Sequence, residues 1–242
     1  MKKPDEKRRN FDRDTAIYWA RGLYRRDDVL YMDTETNGME EGSEILEIAF
    51  CDNGRIVGSY LIRPDSGLVD KTEIHGIEDR HMTYAFDLDL IAPHLIQMLR
   101  RNVIVCWNTW FEKRMLSTML LDQYLAEKAE KMSLKELHIS LTDAMEINAM
   151  YSGIWNEEKG KYRWHKLGDA FERAIRSVIS EQTIGHPARV DAHAHSALGD
   201  ALRTREIVHY IAESKAMYTP ESYLDLCLEY GLHPLDYPVH PE

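Results

Sequence analysis

Three segments near the start of the chain are rich in β-forming residues and predict strands. Residues 29–33 are a short apolar run that ends in an acid, and residues 44–51 and 55–62 are two further runs rich in β-forming residues. Asn53 and Gly54 join the last two runs, and Asn-Gly is a strong hairpin signal because both turn positions need positive φ. We therefore predict an antiparallel group of three strands.

The middle of the chain alternates between helical and strand patterns. Apolar side chains recur at helical spacing over residues 87–101, and Asn102 can end that helix. Residues 103–107 predict a fourth strand, residues 110–125 another helix, and residues 137–143 a candidate fifth strand. Strands that alternate with helices are typical of an α/β fold.

The last third of the chain is helical in pattern. Residues 152–165 contain two glycines and several charges, and they predict a loop or a small insertion. Apolar faces follow over residues 167–179 and 194–214, and a short amphipathic piece covers residues 223–230. The whole order predicts an α/β fold with a mixed sheet flanked by helices.

Composition favours a globular protein in a reducing compartment. Hydrophobic residues make up 44% of the 242 residues, which is ordinary for a packed core. There is no apolar run of about 18 residues, so we expect no membrane span, and the charged start is unlike a secretory signal. The three cysteines are widely spaced and predict small core residues, not a disulfide framework or a zinc knuckle. The default expectation is a cytoplasmic location.

The net charge of −11 is unevenly distributed. Residues 1–26 hold nine Lys/Arg against four Asp/Glu, whereas the rest of the chain holds 21 against 37. Such an acidic body is a poor match for a protein that coats duplex nucleic acid, where Lys and Arg neutralise phosphates. The basic start is either a solvated arm or a contact for nucleic acid, and the sequence leaves both interpretations open.

Acidic residues stand at three places where the predicted elements can bring them together. Asp33 and Glu35 end the first strand, and residues two apart on a strand point the same way. Alone, this pair is more typical of a solvated turn than of a metal site. Glu112 opens the helix after the fourth strand, and Asp200 lies five residues after His195 at the start of the last long helix. Four carboxylates and a histidine suit hard divalent cations such as Mg²⁺ or Mn²⁺.

Four motifs in this order resemble the DEDDh (DnaQ-like) 3′–5′ exonuclease family of the ribonuclease H-like superfamily. They are Asp33-Thr-Glu35-Thr-Asn-Gly38 against D-x-E-T-x-G, Ile74-His75-Gly76-Ile77 against I-H-G-I, Asn108-Thr-Trp-Phe111-Glu112 against N-x-x-F-D, and His195-Ser-Ala-Leu-Gly-Asp200 against H-x-A-x-x-D. Asp143 resembles a further family aspartate that supports the core. The resemblance covers residues 28–212 and implies a ribonuclease H-like fold whose mixed five-stranded sheet has three antiparallel strands followed by parallel ones.

The resemblance implies a 3′–5′ exonuclease that uses two divalent ions, Mg²⁺ or Mn²⁺, and releases nucleoside 5′-monophosphates. Asp33, Glu35 and Asp200 would bind the first ion, and Asp33 would bridge to the second. Glu112 would complete the carboxylate set, and His195 would be the general base that activates water. The expected substrate is a nucleic-acid 3′ end with a single-stranded tip, with DNA favoured over RNA.

The resemblance also places the pocket for the terminal nucleotide around the first two motifs and the start of the third. The residues implied there are Thr34, Thr36, Asn37, Met39, His75, Ile77 and Asn108. Met39 has two interpretations, as a wedge beside the terminal base and as a methionine at the edge of the core.

Glu112 departs from the family pattern, which usually has Asp at this position. Glutamate is one methylene longer, so it can bind a metal directly or through water, or shift the second ion. An alternative function is therefore a catalytically impaired ribonuclease H-like module that binds nucleic acid or a protein partner.

A competing metal motif overlaps the last one. Asp191-Ala-His193-Ala-His195 reads as D-x-H-x-H, which occurs in amidohydrolase-type barrels after an early strand. Here only about fifty residues follow, so the rest of a barrel has no room. We therefore interpret His193 as a surface or substrate-side residue.

Tryptophans offer candidate surfaces for stacking bases. Trp107 ends an apolar strand and is predicted to be in the core, and Trp110 follows it closely. Trp155 and Trp164 lie in the charged insertion and are better candidates for substrate or partner contact.

We predict three regions along the chain. Residues 1–27 form a basic lead-in, residues 28–214 the exonuclease domain, and residues 215–242 an extension that packs on the domain or on an oligomer partner. A homo-oligomer is compatible with this division.

Overall fold

The structure is a computed structural model that describes residues 3–125, 133–181 and 196–232. These residues form two compact units, each described by itself. The first, called the sheet unit, contains residues 27–125, 133–142 and 196–203. The second, called the helical unit, contains residues 3–26, 143–181 and 204–232.

A mixed sheet is the framework of the sheet unit. Its strands are β1 (Val29–Thr36), β2 (Ile45–Cys51), β3 (Ile56–Leu61), β4 (Val103–Cys106) and β5 (Leu141–Asp143), in the spatial order β3-β2-β1-β4-β5. The first three strands pair antiparallel, and β1 pairs parallel with β4. The predicted mixed five-stranded sheet is therefore confirmed.

The fifth strand is shorter than the sequence predicts. We expected residues 137–143, but only Leu141–Asp143 is extended. His138 has a φ of 57°, in the left-handed region that no strand residue occupies, so the chain turns before β5 begins.

Helices and short turns connect the strands of the sheet unit. They are α2 (Thr72–His75), a 3₁₀ turn (Asp79–Tyr84), α3 (Leu88–Arg101) and α4 (Thr109–Ser117), which continues as a π-helix (Thr118–Tyr124). Asn102 ends α3 as predicted, and its side-chain amide donates to the Met98 carbonyl at 2.8 Å. The single predicted helix over 110–125 thus changes its hydrogen-bonding pattern in the middle.

The apolar core of the sheet unit is built from the sheet together with α3 and α4. Met32, Phe50, Leu95 and Leu116 are among its fully buried side chains. Burial of side chains of this size contributes about 1.5–3 kcal/mol each. This packing keeps the end of β1 and the start of α4 in a defined place.

The helical unit consists of α1 (Glu6–Tyr24), α5 (Ala144–Ser152), a short hairpin of β6 (Trp155–Asn156) and β7 (Lys161–Tyr162), α6 (Leu167–Glu181), the part of α7 (Ala197–Glu213) from Thr204 onward, and α8 (Pro220–Glu229). Helix α1 packs against α5 and α8. Stacked rings of Phe11 and Tyr223, with centroids 5.3 Å apart, hold α8 on α1.

The N-terminal segment is not a solvated arm. Phe11, Ile17 and Ala20 on α1 are buried, and the buried carboxylate of Asp14 accepts the N–H groups of Met217 and Tyr218 at 2.8 and 2.7 Å. The solvated-arm interpretation is therefore wrong for residues 6–24. The helix was not predicted because charged residues interrupt its apolar face in the sequence. The predicted domain limits at residues 28 and 214 stay a prediction.

Three further predictions concern the insertion at 152–165, the cysteines and membrane-spanning helices. The predicted loop or insertion at 152–165 contains β6 and β7, which pair antiparallel. All three cysteines are buried, as expected for small core residues. Among the helices that the structure describes, none has the length and apolar character needed to cross a membrane.

Candidate active site: a carboxylate cluster

The end of β1 places two acids side by side on one face of the sheet. Asp33 pairs with Ala49 of β2, and Glu35 pairs with Glu47 two positions further along. A β-bulge follows Glu35 and bends the strand where the acids end. Since β1 and β4 run parallel, their carboxyl ends meet at one edge of the sheet, and α4 begins there.

A third carboxylate joins this pair from the start of α7. Asp33, Glu35 and Asp200 each present a carboxylate oxygen, and these oxygens lie within 4.8 Å of one another. All three residues are half-buried. The structure thus brings together three of the four predicted acids, and we call them the carboxylate cluster.

Glu112 lies beside the carboxylate cluster without belonging to it. It is buried, with 3% of its surface exposed, in the first turn of α4. Its carboxylate accepts a hydrogen bond of 2.9 Å from the hydroxyl of Thr34, the residue between the two acids of β1. With its extra methylene, Glu112 reaches Thr34, and the Thr34 hydroxyl holds the carboxylate in place.

Burial and neighbouring negative charges raise the pKa of these carboxyl groups. Burial raises the pKa of Asp33 well above its usual range, with further contributions from Glu112 and Asp200. Burial together with the charges of Asp200 and Glu47 raises the pKa of Glu35 to about 8. Burial also raises the pKa of Glu112. A cation beside these carboxylates would favour their charged forms and so offset the cost of burying them together.

The donor set fits a hard divalent cation. Carboxylate oxygens that converge within a few ångströms are the ligands that Mg²⁺ and Mn²⁺ prefer. One cationic side chain is also close, since Arg203 donates to Asp200 at 3.0 Å one turn along α7. That ion pair offsets part of the charge on Asp200.

Glu47 is an acid of the site that the sequence analysis missed. Its carboxylate accepts the N–H of Ala197, the first residue of α7, at 3.1 Å, and also accepts the hydroxyl of Ser59. Glu47 thereby fixes the start of the helix that carries Asp200. The sequence contained a signal for this role, because a glutamate in the otherwise apolar strand β2 needs a polar partner.

The predicted general base, His195, lies outside the described residues. The same holds for Asp191 and His193 of the competing D-x-H-x-H motif. The catalytic role of His195 therefore stays a prediction, and the described residue nearest to it in the sequence is Ser196.

The two threonines predicted to contact the nucleotide make local hydrogen bonds. Thr34 is buried and donates to Glu112, as described above. Thr36 donates to the carbonyl of Gly38 at 2.7 Å and so shapes the turn after β1. Met39 follows this turn and is 68% exposed, so it is not a core residue.

Asn37 and Asn108 each hold a chain segment in place. Asn37 accepts the N–H of Glu44 at 2.8 Å, and its side-chain amide donates to the carbonyl of Leu68 at 3.3 Å. Asn108 is the N-cap of α4 and accepts the N–H of Phe111 at 3.4 Å. Both residues therefore position the loops that border the carboxylate cluster.

His75 is held by its own loop. Its Nε2 donates to the carbonyl of Asp70 at 2.8 Å, and its Nδ1 accepts the N–H of Ile77 at 3.0 Å. These bonds fix one neutral tautomer. Both His75 and Ile77 are buried and shape this turn. A contact of either residue with a nucleotide stays a prediction.

The other predicted residues are described by their burial and their own contacts. Trp107 is buried, as predicted, and Trp110 is 68% exposed. Trp155 and Trp164 belong to the hairpin region of the helical unit, where the Lys161 ammonium lies 3.1 Å from the ring centroid of Trp164. Asp143 is buried and caps α5 by accepting the N–H of Glu146 at 2.9 Å.

Comparison with known proteins identifies relatives at the level of sequence and of fold. No protein-family model matches the chain. It is 30% identical over 192 residues to a protein of Escherichia phage 186 named "Uncharacterized exonuclease CP81", and the alignment covers 78% of this chain and 91% of that protein.

Two solved structures share the fold. One is E. coli Exonuclease I in complex with a dA16 oligonucleotide, with a TM-score of 0.50, 15% identity, and coverage of 83% of this chain and 43% of that chain. The other is a 3′-exonuclease that recognises the histone mRNA stem-loop, with a TM-score of 0.50, 12% identity, and coverage of 77% of this chain and 64% of that chain. The chain thus spans less than two thirds of each of these solved chains.

The three kinds of observation agree. The sheet has the strand order and directions expected of a ribonuclease H-like fold, the acids of the first and last motifs converge, and the phage relative covers most of the chain. The chain therefore belongs to the DEDDh (DnaQ-like) exonuclease family of the ribonuclease H-like superfamily.

Proposed function

We propose that this exonuclease is metal-dependent and removes nucleotides from the 3′ end of nucleic acid, with DNA favoured over RNA. The observation that supports this proposal is the carboxylate cluster, in which three acids approach one another within 4.8 Å and in which burial and mutual repulsion raise the pKa values of Asp33 and Glu35. Such an arrangement is costly to the metal-free fold and favourable around divalent cations. The product would be a nucleoside 5′-monophosphate.

The metal ligands follow from the positions of the acids. Asp33, Glu35 and Asp200 would hold one Mg²⁺ or Mn²⁺, and Asp33 with Glu112 would contribute to a second. When bound, two such ions stabilise the attacking and leaving oxygens of a phosphodiester displacement. Thr34 would orient Glu112, because its hydroxyl already donates to that carboxylate. Glu47 would orient Asp200 by holding the start of α7.

The remaining steps fall to side chains of this chain. His195 would take a proton from the attacking water, since an imidazole has an ordinary pKa of about 6.5 and suits this task at neutral pH. The turn after β1, shaped by Thr36 and Asn37, would hold the terminal nucleotide beside the acids. A strand end enters such a site more readily when it is unpaired.

The experiment that tests this function is a time course on end-labelled oligonucleotides. Single- and double-stranded DNA and RNA, labelled at the 3′ or the 5′ end, are incubated with Mg²⁺, with Mn²⁺ or with EDTA. We expect the 3′ label to appear at once as mononucleotide, the 5′-labelled strand to shorten stepwise, and EDTA to stop both. Early release of the 5′ label, internal cuts, or an inactive protein with both metals would contradict the proposal.

A second candidate function rests on the position of Glu112. This acid is hydrogen-bonded to Thr34 and lies outside the group of three carboxylates, which is compatible with a module that binds nucleic acid or a protein partner without hydrolysing it. The variant Glu112→Asp separates the two. If the wild-type protein is inactive and Glu112→Asp is active, the impaired module is the correct description.

A further inference from the structure

An exposed tryptophan lies at the edge of the sheet unit where the acids converge. Trp110 is in the first turn of α4, two residues before Glu112, and 68% of its surface is exposed. A tryptophan ring can bury 150–250 Å² in a core or an interface, so exposure on this scale leaves most of that potential contact unused. Nothing in the proposed chemistry of the carboxylate cluster uses this ring.

A guanidinium group is held next to the ring of Trp110. Arg114 lies one turn further along α4, and its guanidinium carbon is 4.9 Å from the centroid of Trp110 and 5.5 Å from that of Phe111. Its Nη2 donates to the carbonyl of Met39 at 2.6 Å. Two rings and a backbone oxygen therefore orient the guanidinium.

Trp110, Arg114 and Met39 form one surface, which we call the stacking platform. Met39 is as exposed as Trp110, at 68%, and it lies three residues after the end of β1. Residues 110 and 114 face the same side of α4, whereas residue 112 faces the protein and meets Thr34. The stacking platform thus borders the turn after β1, which carries Asp33 and Glu35, and the turn of α4 that carries Glu112.

The charge on this surface is suited to a phosphate backbone. Backbone hydrogen bonds lower the pKa of the exposed Glu40 carboxylate, and the charges of Lys71 and Arg114 lower it further, so a second cation, Lys71, lies near Arg114. Glu40 accepts the N–H of Met39 at 2.9 Å, which ties this acid to the turn. A flat aromatic face beside cations is the combination that binds single-stranded nucleic acid.

We propose that the stacking platform binds an unpaired base next to the terminal nucleotide, with Trp110 stacking on the base and Arg114 contacting the adjoining phosphate. This inference rests on the proposed exonuclease function and adds a preference for single-stranded 3′ ends. A base within a duplex has both faces covered by its neighbours, so only an unpaired base can stack on Trp110. The contact would tolerate any base sequence, since every base has a π-face.

The test compares the full-length wild-type chain with Trp110→Ala, Trp110→Phe and a matched control, Tyr84→Ala. Tyr84 is an 82% exposed aromatic residue of the same unit and lies in a different turn. The Kd for 5′-fluorescein-labelled (dT)12 is measured by fluorescence anisotropy in EDTA, and KM and kcat for the same oligonucleotide are measured in Mg²⁺. Circular dichroism checks that each variant folds.

We expect Trp110→Ala to raise the Kd and KM for (dT)12 about tenfold while kcat changes less than twofold, because one base stack is lost. Trp110→Phe should recover most of the affinity, and Tyr84→Ala should match the wild type. The rise in KM should shrink on the p-nitrophenyl ester of thymidine 5′-monophosphate, which has no second base.

Two results would overturn the stacking platform. One is an unchanged Kd for (dT)12 in Trp110→Ala, and the other is an equal loss in Tyr84→Ala. A wild-type protein that binds (dT)12 through Trp110 in EDTA but hydrolyses nothing in Mg²⁺ would instead reject the exonuclease proposal and keep the stacking platform. The anisotropy and the hydrolysis measurements thus distinguish the two failures.

Discussion

Buried or half-buried carboxylates occur in two regions of the sheet unit, and their surroundings differ. Glu44, just before β2, is buried and accepts hydrogen bonds from the backbone N–H of Asp65 at 2.7 Å and the side-chain amide of Gln123 at 3.0 Å. It also accepts hydrogen bonds from the backbone and the hydroxyl of Ser66. Neutral hydrogen-bond donors from distant segments of the chain therefore surround the single carboxylate of Glu44.

The carboxylate cluster at the end of β1 shows the opposite arrangement. There, acids face other acids, and both Asp33 and Glu35 have raised pKa values. A buried acid with enough donors stabilises a fold, whereas buried acids that share one space destabilise it until a cation arrives. The difference separates a structural carboxylate from a candidate metal ligand without any reference to the motif.

The largest expected effect is on catalysis, from Asp33→Asn. We expect a loss of at least about a thousandfold in the rate of mononucleotide release, because an electrostatic contribution to the transition state is removed. The melting temperature of the metal-free protein should stay the same or rise, since one repelling charge is gone. The two readouts are a 3′-label release assay and thermal unfolding in EDTA, and a variant that melts lower while keeping its activity would contradict this role for Asp33.

The next effect is on stability, from Glu44→Ala. Loss of this acceptor leaves several buried donors without a partner, so we expect a decrease of about 3 kcal/mol in the free energy of unfolding. Glu44→Gln is the matched control, because it keeps one carbonyl oxygen and should lose less. Urea unfolding of both variants measures the difference. Equal and small losses in the two variants would show that the donors around Glu44 have other partners.

A smaller effect concerns pH and metal together. The pKa of Glu35 rises from 4.5 to about 8 in the metal-free fold, so folding takes up a proton in this window and stability falls as the pH rises from about 4.5 to 8. Cations compete with these protons. Mg²⁺ should therefore raise the melting temperature more at pH 8.5 than at pH 6. Equal shifts at the two pH values, measured by differential scanning calorimetry, would contradict the prediction.

The smallest effect is expected from Glu112→Asp. The shorter acid matches the family motif but moves its carboxylate away from the Thr34 hydroxyl. We expect a change of about tenfold or less in the Mn²⁺ concentration that gives half-maximal activity. Thr34→Val, which removes the hydroxyl and keeps the shape, serves as the control. A total loss of activity in Glu112→Asp would show that this chain depends on the longer side chain.

Several elements of the fold were predictable because their patterns were local. Strands β1 to β4 and helix α3 have clear apolar periods bounded by turn signals such as Asn53-Gly54 and Asn102. Helix α1 was missed because its buried positions are interspersed with arginines, and α5 was missed because it follows β5 without a break. The left-handed residue His138, which shortens β5, has no local sequence signal.

The candidate site was predictable only where motif and geometry agree. Asp33 and Glu35 follow from strand alternation, and Asp200 from its place at the start of a helix. The roles of Glu44 and Glu47 depend on partners far away in the sequence, such as Gln123 and Ala197, so they required the fold. The same holds for the hydrogen bond from Arg114 to the carbonyl of Met39.

The central claim is that the acids at the end of β1 bind metal, and a crystal soaked in MnCl₂ tests it most directly. An anomalous difference map is measured for the wild-type protein at pH 8 and at a Mn²⁺ concentration that supports hydrolysis. The expected result is a strong peak bound by oxygens of Asp33, Glu35 and Asp200, and no such peak in Asp33→Asn. A map without density among these three carboxylates would contradict the claim.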